Sequence, residues 1–461
     1  MTGGAEARAR PAAGLLRTVR LGTARGDREL ARLVARQREV LPAKLLREAG
    51  RIVEAVRKGG DRALLDLVRR LDHGHRDGEA ASRDPRPSLG LPESVGEIRL
   101  RLGTCEDEAR RLPRAIVDAI EQAIEAVASY HRRQGHGGFV HAAGGVRLEE
   151  RRRPLARVAC YVPGGRASYP STAMMTVVPA QVAGVREVVV ATPPGSFRSS
   201  PALRYTLARL GVEEVWGMGG AHAVAALAYG TETVRRVDKI VGPGNAWVTA
   251  AKRLVAGDVG IDGLAGPSEV VIAADGDADP AIVAADLLAQ AEHDPRAAAV
   301  LITPDRRLPA AVEVELEAQL ATLPTAETAR ASLAAFGRAL LVADAEEALG
   351  AIEALAPEHL QLVGAGMEAL AGRVERAGAI FAGADTGEVF GDYVAGPSHV
   401  LPTGGSARFA SALGVDDFVR RSHLVRLSPA AAARLAVPAA ELADAEGLPA
   451  HAAAARRRLR G

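Results

Sequence analysis

The feature that most constrains this chain is a repeated rhythm between residues 157 and 274, where short β-branched runs end in glycines and open into Ala-rich helices. VACYVPGG precedes a helical stretch around residues 172–183, and VREVVVATPPG precedes a helix over residues 203–210. VEEVWGMGG precedes AVAALAYG, and DKIVGPGN precedes AWVTAAKRLVAG. A helix between two strands carries the chain back so that the next strand runs in the same direction, which builds a doubly wound parallel sheet. SEVVIAADGDADP closes this unit. A second α/β segment follows. Asp279-Pro280 is an N-cap and N1 pair that opens the helix AIVAADLLAQAEH. AVLITP (299–304) reads as a strand, residues 308–333 as helical, RALLVAD (338–344) as a strand and AEEALGAIEALA as a helix, with LQLVG and AIFAG after it.

Upstream, residues 29–71 carry apolar positions at i, i+3 and i+4 (Ile52, Val53, Val56; Leu64, Leu65, Leu67, Val68), the mark of a helix with one buried face. Residues 105–135 are again helical, and the polar, Gly/Pro/Ser-rich stretch 73–94 reads as a surface loop. The expected fold class is α/β: two Rossmann-like parallel-sheet domains, both incomplete as dinucleotide folds, plus a small helical tail. Residues 29–157 and 275–402 form the first domain in this reading. Residues 158–274 form the second, inserted domain, and 403–461 the tail. Residues 1–28 are expected to be disordered or extended.

With 461 residues the chain has room for about three structural units. Its net charge of +2 gives no field that would favour nucleic acid or a membrane surface, and no apolar stretch reaches the ~20 residues of a membrane span. Cys105 and Cys160 cannot build a disulfide framework or a thiolate metal site alone. The basic start MTGGAEARARPAAG lacks an apolar core, so it does not read as a secretory signal. A reducing, cytoplasmic setting is expected.

Gly217-Met-Gly219-Gly220 and Gly242-Pro-Gly244-Asn245 each follow a strand and precede a helix. Bare backbone N–H groups there can hold a phosphate or pyrophosphate, although neither turn is the full dinucleotide fingerprint. Gln290 and His293 are three apart on a helix and share a face, so they could chelate one ion. Asp392 sits in the Gly-rich stretch GDYVAGPSH and His451 in the tail. A set of N and O donors without sulfur suits zinc in an open, catalytic site. Pro357-Glu358-His359 places an acid and an imidazole side by side at a helix-to-strand junction, the pattern of an acid/base pair or of an exposed turn. His399 has the same ambiguity. The His73-x-His75 pair could bind metal, but a loop this polar more simply leaves both solvated.

Taken together, CYVPGG (160–165), VDKIVGPGNAWVTAAK (237–252), AGPSEVVIAAD (265–275), LLAQAEHD (287–294), APEHLQL (356–362), GAIFAG (378–383), GDYVAGPSHVLPT (391–403) and EGLPAHAAAARRR (446–458) resemble the histidinol dehydrogenase family, in the family's order. The resemblance implies a zinc-dependent homodimer that oxidises L-histidinol to L-histidine with two NAD⁺, through an enzyme-held histidinal, in the last step of histidine biosynthesis. It implies one Zn²⁺ per subunit on Gln290, His293, Asp392 and His451, the last reaching in from the partner, so that the tail is exchanged. It implies Glu358 and His359 as the acid/base pair. Substrate contacts would fall on Ser268, Gln290, His293, His359, Asp392, His399, Glu446 and His451, and NAD contacts on Tyr161, His222 and Asn245.

This chain departs from the family at His222, where the family usually has Gln, and at Ser398, where it usually has Asn. A neutral imidazole cannot copy the paired donor and acceptor of an amide. The chemistry fits the rest: a neutral His359 can take the alcohol proton, Glu358 can activate water for the aldehyde step, and Glu446 suits a cationic amine. A paralogue oxidising another small alcohol, such as a sulfonated diol, would keep the zinc set and the Glu-His pair but change the substrate contacts. A non-catalytic metal- or nucleotide-binding protein on the same scaffold is the other alternative, and the intact pair and ligand set speak against it.

Overall fold

In the computed structural model of the protein, residues 14–36, 41–73, 91–135, 137–164 and 169–459 are described. Runs of Val, Ile, Leu and Ala that are apolar on both faces belong inside a sheet with helices on either side. The strands Glu269–Ala274, Ala298–Thr303 and His359–Val363 are buried at every position. They form the middle of an all-parallel six-stranded sheet in the order Arg17–Arg20, Arg338–Leu341, Ala298–Thr303, Glu269–Ala274, His359–Val363, Ala379–Ala382. Val270, Ile272 and Ala274 pack beneath the helices Pro280–Ala291, Leu308–Leu320 and Ala326–Phe336. Val271 and Ala273, one residue out of phase, pack on the opposite face against the helices Ala24–Arg36 and Ala345–Leu355.

The second six-stranded sheet has the order Arg99–Leu100, Glu214–Gly217, Glu187–Thr192, Arg157–Tyr161, Lys239–Val241, Gly260–Ile261. Only its first strand is antiparallel to its neighbour. Ala159, Tyr161, Val189 and Ala191 face the helices Ala43–Leu71, Gly220–Tyr229 and Ala246–Val255. Val158, Cys160 and Val190 face the helices Arg114–Arg132, Pro170–Val182 and Pro201–Arg209. A third, antiparallel sheet joins Val419–Leu427, Val146–Pro154 and Val140–Ala143. The chain then ends in the helices Pro429–Ala445 and Pro449–Arg456, which share a small core of Ala440, Ala443 and Ala452. Among the described residues, no helix is long and apolar enough to cross a membrane.

The α/β class and the parallel sheets agree with the sequence reading, while sheet membership differs from the expected division in four ways. Residues 17–20 form an edge strand with Val19 opposite Leu340, and a helix begins at Ala24, within a segment expected to be disordered or extended. The strand Glu269–Ala274, expected to close the second unit, lies at the centre of the first sheet. The helices Ala43–Leu71 and Arg114–Arg132 cover the second sheet, not the first. Helical periodicity shows that a face is buried and not which sheet buries it. Finally, the tail contains a nine-residue strand, VRRSHLVRL, which reaches back to pair with Val146–Pro154. The expected helix over 308–333 is two helices, parted at the turn before Thr325 where Pro324 cannot continue the ladder. Residues 1–13, most of the expected loop 73–94 and His75 lie outside the described residues.

Candidate active site

The helix Ala345–Leu355 ends at Ala356, which takes a left-handed conformation with φ 46° and is the only non-glycine residue with positive φ among those described. Such strain in a non-glycine residue persists only where the surroundings enforce it. The turn delivers Glu358 and His359 to the amino end of a central strand, where both are buried. The reading of this dipeptide as an exposed turn is therefore excluded. The Glu358 carboxylate accepts the backbone N–H of Glu269 at 3.0 Å. The Nδ1 of His359 lies 3.3 Å from the Glu269 carbonyl. A carbonyl can only accept, so Nδ1 keeps its hydrogen and Nε2 is the nitrogen that gains and loses the proton. That Nε2 is buried without a hydrogen-bond partner and lies 3.7 Å from Asp392 Oδ1. The ring stacks on Phe381 with centroids 6.3 Å apart.

Carboxylates surround this imidazole. Glu388 Oε1 is 3.8 Å and Glu358 Oε2 3.9 Å from Nδ1. Burial pushes His359 down, but Glu388, Glu358 and Asp392 outweigh it and lift the imidazole to about 10. Burial likewise pushes Glu358 up to about 7, against the His359 charge and the Glu269 N–H. Glu388, fully enclosed, is also raised by burial. The pocket is thus a buried, acid-rich site that favours cations.

His293, Glu388 and Asp392 bring ligand atoms within 4.8 Å of one another. Asp392 lies on the short helix Glu388–Tyr393, one turn after Glu388. That helix packs against Pro280–Ala291, whose last turn carries Gln290. Gln290 is fully buried, and neither its Oε1 nor its Nε2 has a partner. Two unmet polar atoms in a buried amide are costly unless a ligand takes them. Together with the carboxylate and imidazole donors, they fit a divalent cation with N and O ligands. Glu292 points away, accepting the Thr325 hydroxyl at 2.5 Å. His399 joins through Nδ1, 3.0 Å from the Asp392 carbonyl, while its Nε2 is 3.3 Å from Thr172 Oγ1 on the second-sheet helix Pro170–Val182. Ser398 donates to the Met175 carbonyl on the same helix at 3.0 Å. Ser268 immediately precedes Glu269 and is partly buried.

The nucleotide candidates lie at the carboxyl ends of second-sheet strands. Tyr161 ends the strand Arg157–Tyr161, and its hydroxyl accepts the Gly220 N–H at 3.1 Å. His222, buried on the helix Gly220–Tyr229, places Nε2 2.8 Å from Asp72 Oδ2, and Asp72 also accepts the Gly219 N–H at 3.4 Å. A Cβ on Gly219 would come within 3.4 Å of the Tyr161 hydroxyl and 3.0 Å of Pro193, so a side chain there would crowd the turn. Asn245 caps the helix Ala246–Val255, its Oδ1 accepting Trp247 and Val248 N–H groups. Its amide nitrogen takes no part in that cap.

Glu446 and His451 lie exposed on the tail, and His451 is absent from the cluster that holds His293 and Asp392. The residues that sequence reasoning missed are Glu388, Asp72 and Thr172. Glu388 was findable, since Glu-x-x-x-Asp puts two carboxylates on one helix face. Asp72 and Thr172 come from distant segments and carry no local signal.

A family model described as histidinol dehydrogenase matches residues 35–459. The chain is 53% identical to the histidinol dehydrogenase of Moorella thermoacetica over 341 residues, covering 74% of this chain and 80% of that one. It is 44% identical to that of Halalkalibacterium halodurans over 405 residues, covering 87% and 91%. A crystal structure of histidinol dehydrogenase from Elizabethkingia anophelis matches with a TM-score of 0.83 at 29% identity, covering 97% of this chain and 99% of the other. The buried Glu-His pair, the acid-rich cluster beside it and these matches across nearly the whole length lead to one conclusion: the chain belongs to the histidinol dehydrogenase family of oxidoreductases.

Proposed function

We propose that the protein is a zinc-dependent histidinol dehydrogenase that oxidises L-histidinol to L-histidine, consuming two NAD⁺ as co-substrates. The observation that carries this reading is the convergence of the buried Glu358–His359 pair with Asp392, which clusters with the exposed His293, on the helix packed against the one that carries the unpartnered Gln290 amide. Gln290, His293 and Asp392, with the partner subunit's His451, would hold zinc, one ion per subunit of a homodimer with shared sites. When bound, the ion would hold and orient the amino alcohol and its imidazole and would offset the carboxylate field around His359.

His359 takes the alcohol proton at Nε2, because Nδ1 is committed to the Glu269 carbonyl. Glu358, held by the Glu269 N–H, activates the water that adds to the aldehyde before the second oxidation. Burial of both groups keeps the reactive aldehyde from bulk water. Ser268 and His399 line the substrate, and the partner's Glu446 meets its cationic amine. Tyr161, His222 and Asn245 line the coenzyme.

The test is NADH formation from L-histidinol with and without a chelator. Two NADH per histidine, activity lost on chelation and recovered with zinc are expected. Full activity in metal-free protein would overturn the ligand assignment, and preference for a sulfonated diol would overturn the substrate.

A further inference from the structure

The turn that opens the helix Gly220–Tyr229 has the outline of a phosphate cradle, but its two glycine donors are already taken. The Gly219 N–H goes to Asp72 and the Gly220 N–H to the Tyr161 hydroxyl. Asp72 also adds a carboxylate to the spot that an anion would occupy. A helix start in this condition repels phosphate and suits a neutral ligand group.

One acceptor is left open. Nε2 of His222 lies 2.8 Å from Asp72 Oδ2, and a carboxylate only accepts, so Nε2 carries the hydrogen. Nδ1 is then a lone pair, and it is buried with no partner. Both ends of the imidazole are thereby fixed, one by Asp72 and the other by its vacancy. An amide at this position could turn over and present either a donor or an acceptor. An imidazole held by a carboxylate cannot.

We infer that Asp72 is a positioning residue of the coenzyme site, which holds His222 so that Nδ1 accepts a hydrogen bond from a neutral donor group of NAD. This rests on the reading of the Tyr161–His222 region as the coenzyme site. Asp72 touches no coenzyme atom itself and acts through the tautomer of His222. The pair thus restores one half of what an amide would offer and fixes which half.

The experiment is a double-mutant cycle on the full-length, zinc-loaded protein, measuring the NAD dissociation constant by calorimetry for wild type, Asp72→Asn, His222→Gln and the double variant. Asp72→Asn keeps the shape of the side chain but replaces the charged acceptor shared by His222 Nε2 and the Gly219 N–H with a neutral amide oxygen, so the charge-assisted bond that fixes the tautomer is lost. It is expected to weaken NAD binding about tenfold, while the same change in the His222→Gln background has little effect, as coupled neighbours require. The zinc dissociation constant, read by chelator competition, is expected to stay unchanged in all four. Equal weakening in both backgrounds would show that Asp72 merely supports the Gly219 turn and would overturn the inference, as would wild-type affinity in Asp72→Asn. Failure of the wild-type protein to bind NAD at all would instead overturn the coenzyme reading and the inference with it.

Discussion

His359 shows how one backbone position can assign two side-chain roles. Glu269 gives its N–H to Glu358 and its carbonyl to the imidazole, so an acid and a base that are neighbours in sequence are held by opposite polarities of a single residue. Replacing His359 with Asn removes the basic nitrogen of this pair. We expect kcat to fall roughly a hundred- to ten-thousand-fold while the L-histidinol dissociation constant changes little, which is the range for loss of a general base. An unchanged kcat would remove His359 from the chemistry. Glu388 belongs to the same acid cluster, and Glu388→Ala is expected to weaken zinc binding about ten- to a hundred-fold in chelator competition, as loss of a supporting group around a metal does. The Glu358–His359 pair and the Gln290–His293 spacing were legible in the sequence because both are local. Asp72 and Thr172 were not, because their role exists only once distant segments are packed together.

Individual elements carry these groups with little slack. The helix that presents Gln290 begins at Asp279, whose carboxylate accepts the Ala281 N–H at 2.9 Å. Asp279→Ala is expected to cost about 1 kcal/mol, the usual value of an N-cap, seen as a lower urea midpoint with unchanged slope. In the second sheet, Arg157 spans two strands, donating to Glu187 at 2.7 Å and to Glu214 at 2.6 Å. Burial pushes Glu214 up, but hydrogen bonds from Arg157 and Trp216 and the Arg157 charge hold it below its ordinary 4.5. A carboxyl group lowered in the folded state stabilises the fold above its unfolded value, and that contribution is lost as pH falls through the folded value. The stability gap between wild type and Glu214→Gln should therefore be full at neutral pH and close on acidification below 4.5. A gap that widened in acid would contradict this assignment. Element type followed from periodicity over most of the chain. The strand Val419–Leu427 escaped because Arg420, Arg421, Ser422 and His423 run consecutively and interrupt the apolar alternation that marks a strand.

Across the whole molecule, the strand–glycine–helix rhythm announced parallel sheets, and they are there. What it could not announce is which strand joins which sheet, since parallel neighbours are distant in sequence and the strand Glu269–Ala274 looks locally like the end of the preceding unit. The exposed tail with Glu446 and His451 calls for a test of exchange between subunits. Mixing an inactive His359→Asn protein with an inactive His451→Ala protein is expected to restore activity, because each mixed dimer then contains one site with both residues intact. No recovery after refolding the mixture would place the tail in its own subunit's site.

The two ends of the reaction hang from different scaffolds. The proton acceptor lies at the amino ends of first-sheet strands, and the coenzyme residues lie at the carboxyl ends of second-sheet strands. Beside the site, that seam is bonded through His399 to Thr172 and Ser398 to Met175. A lesion confined to those bonds would leave each half able to recognise its own ligand while lengthening the gap that the electrons must cross. Such a protein would be saturable by both compounds and nearly idle, a phenotype that a screen for binding alone would pass over.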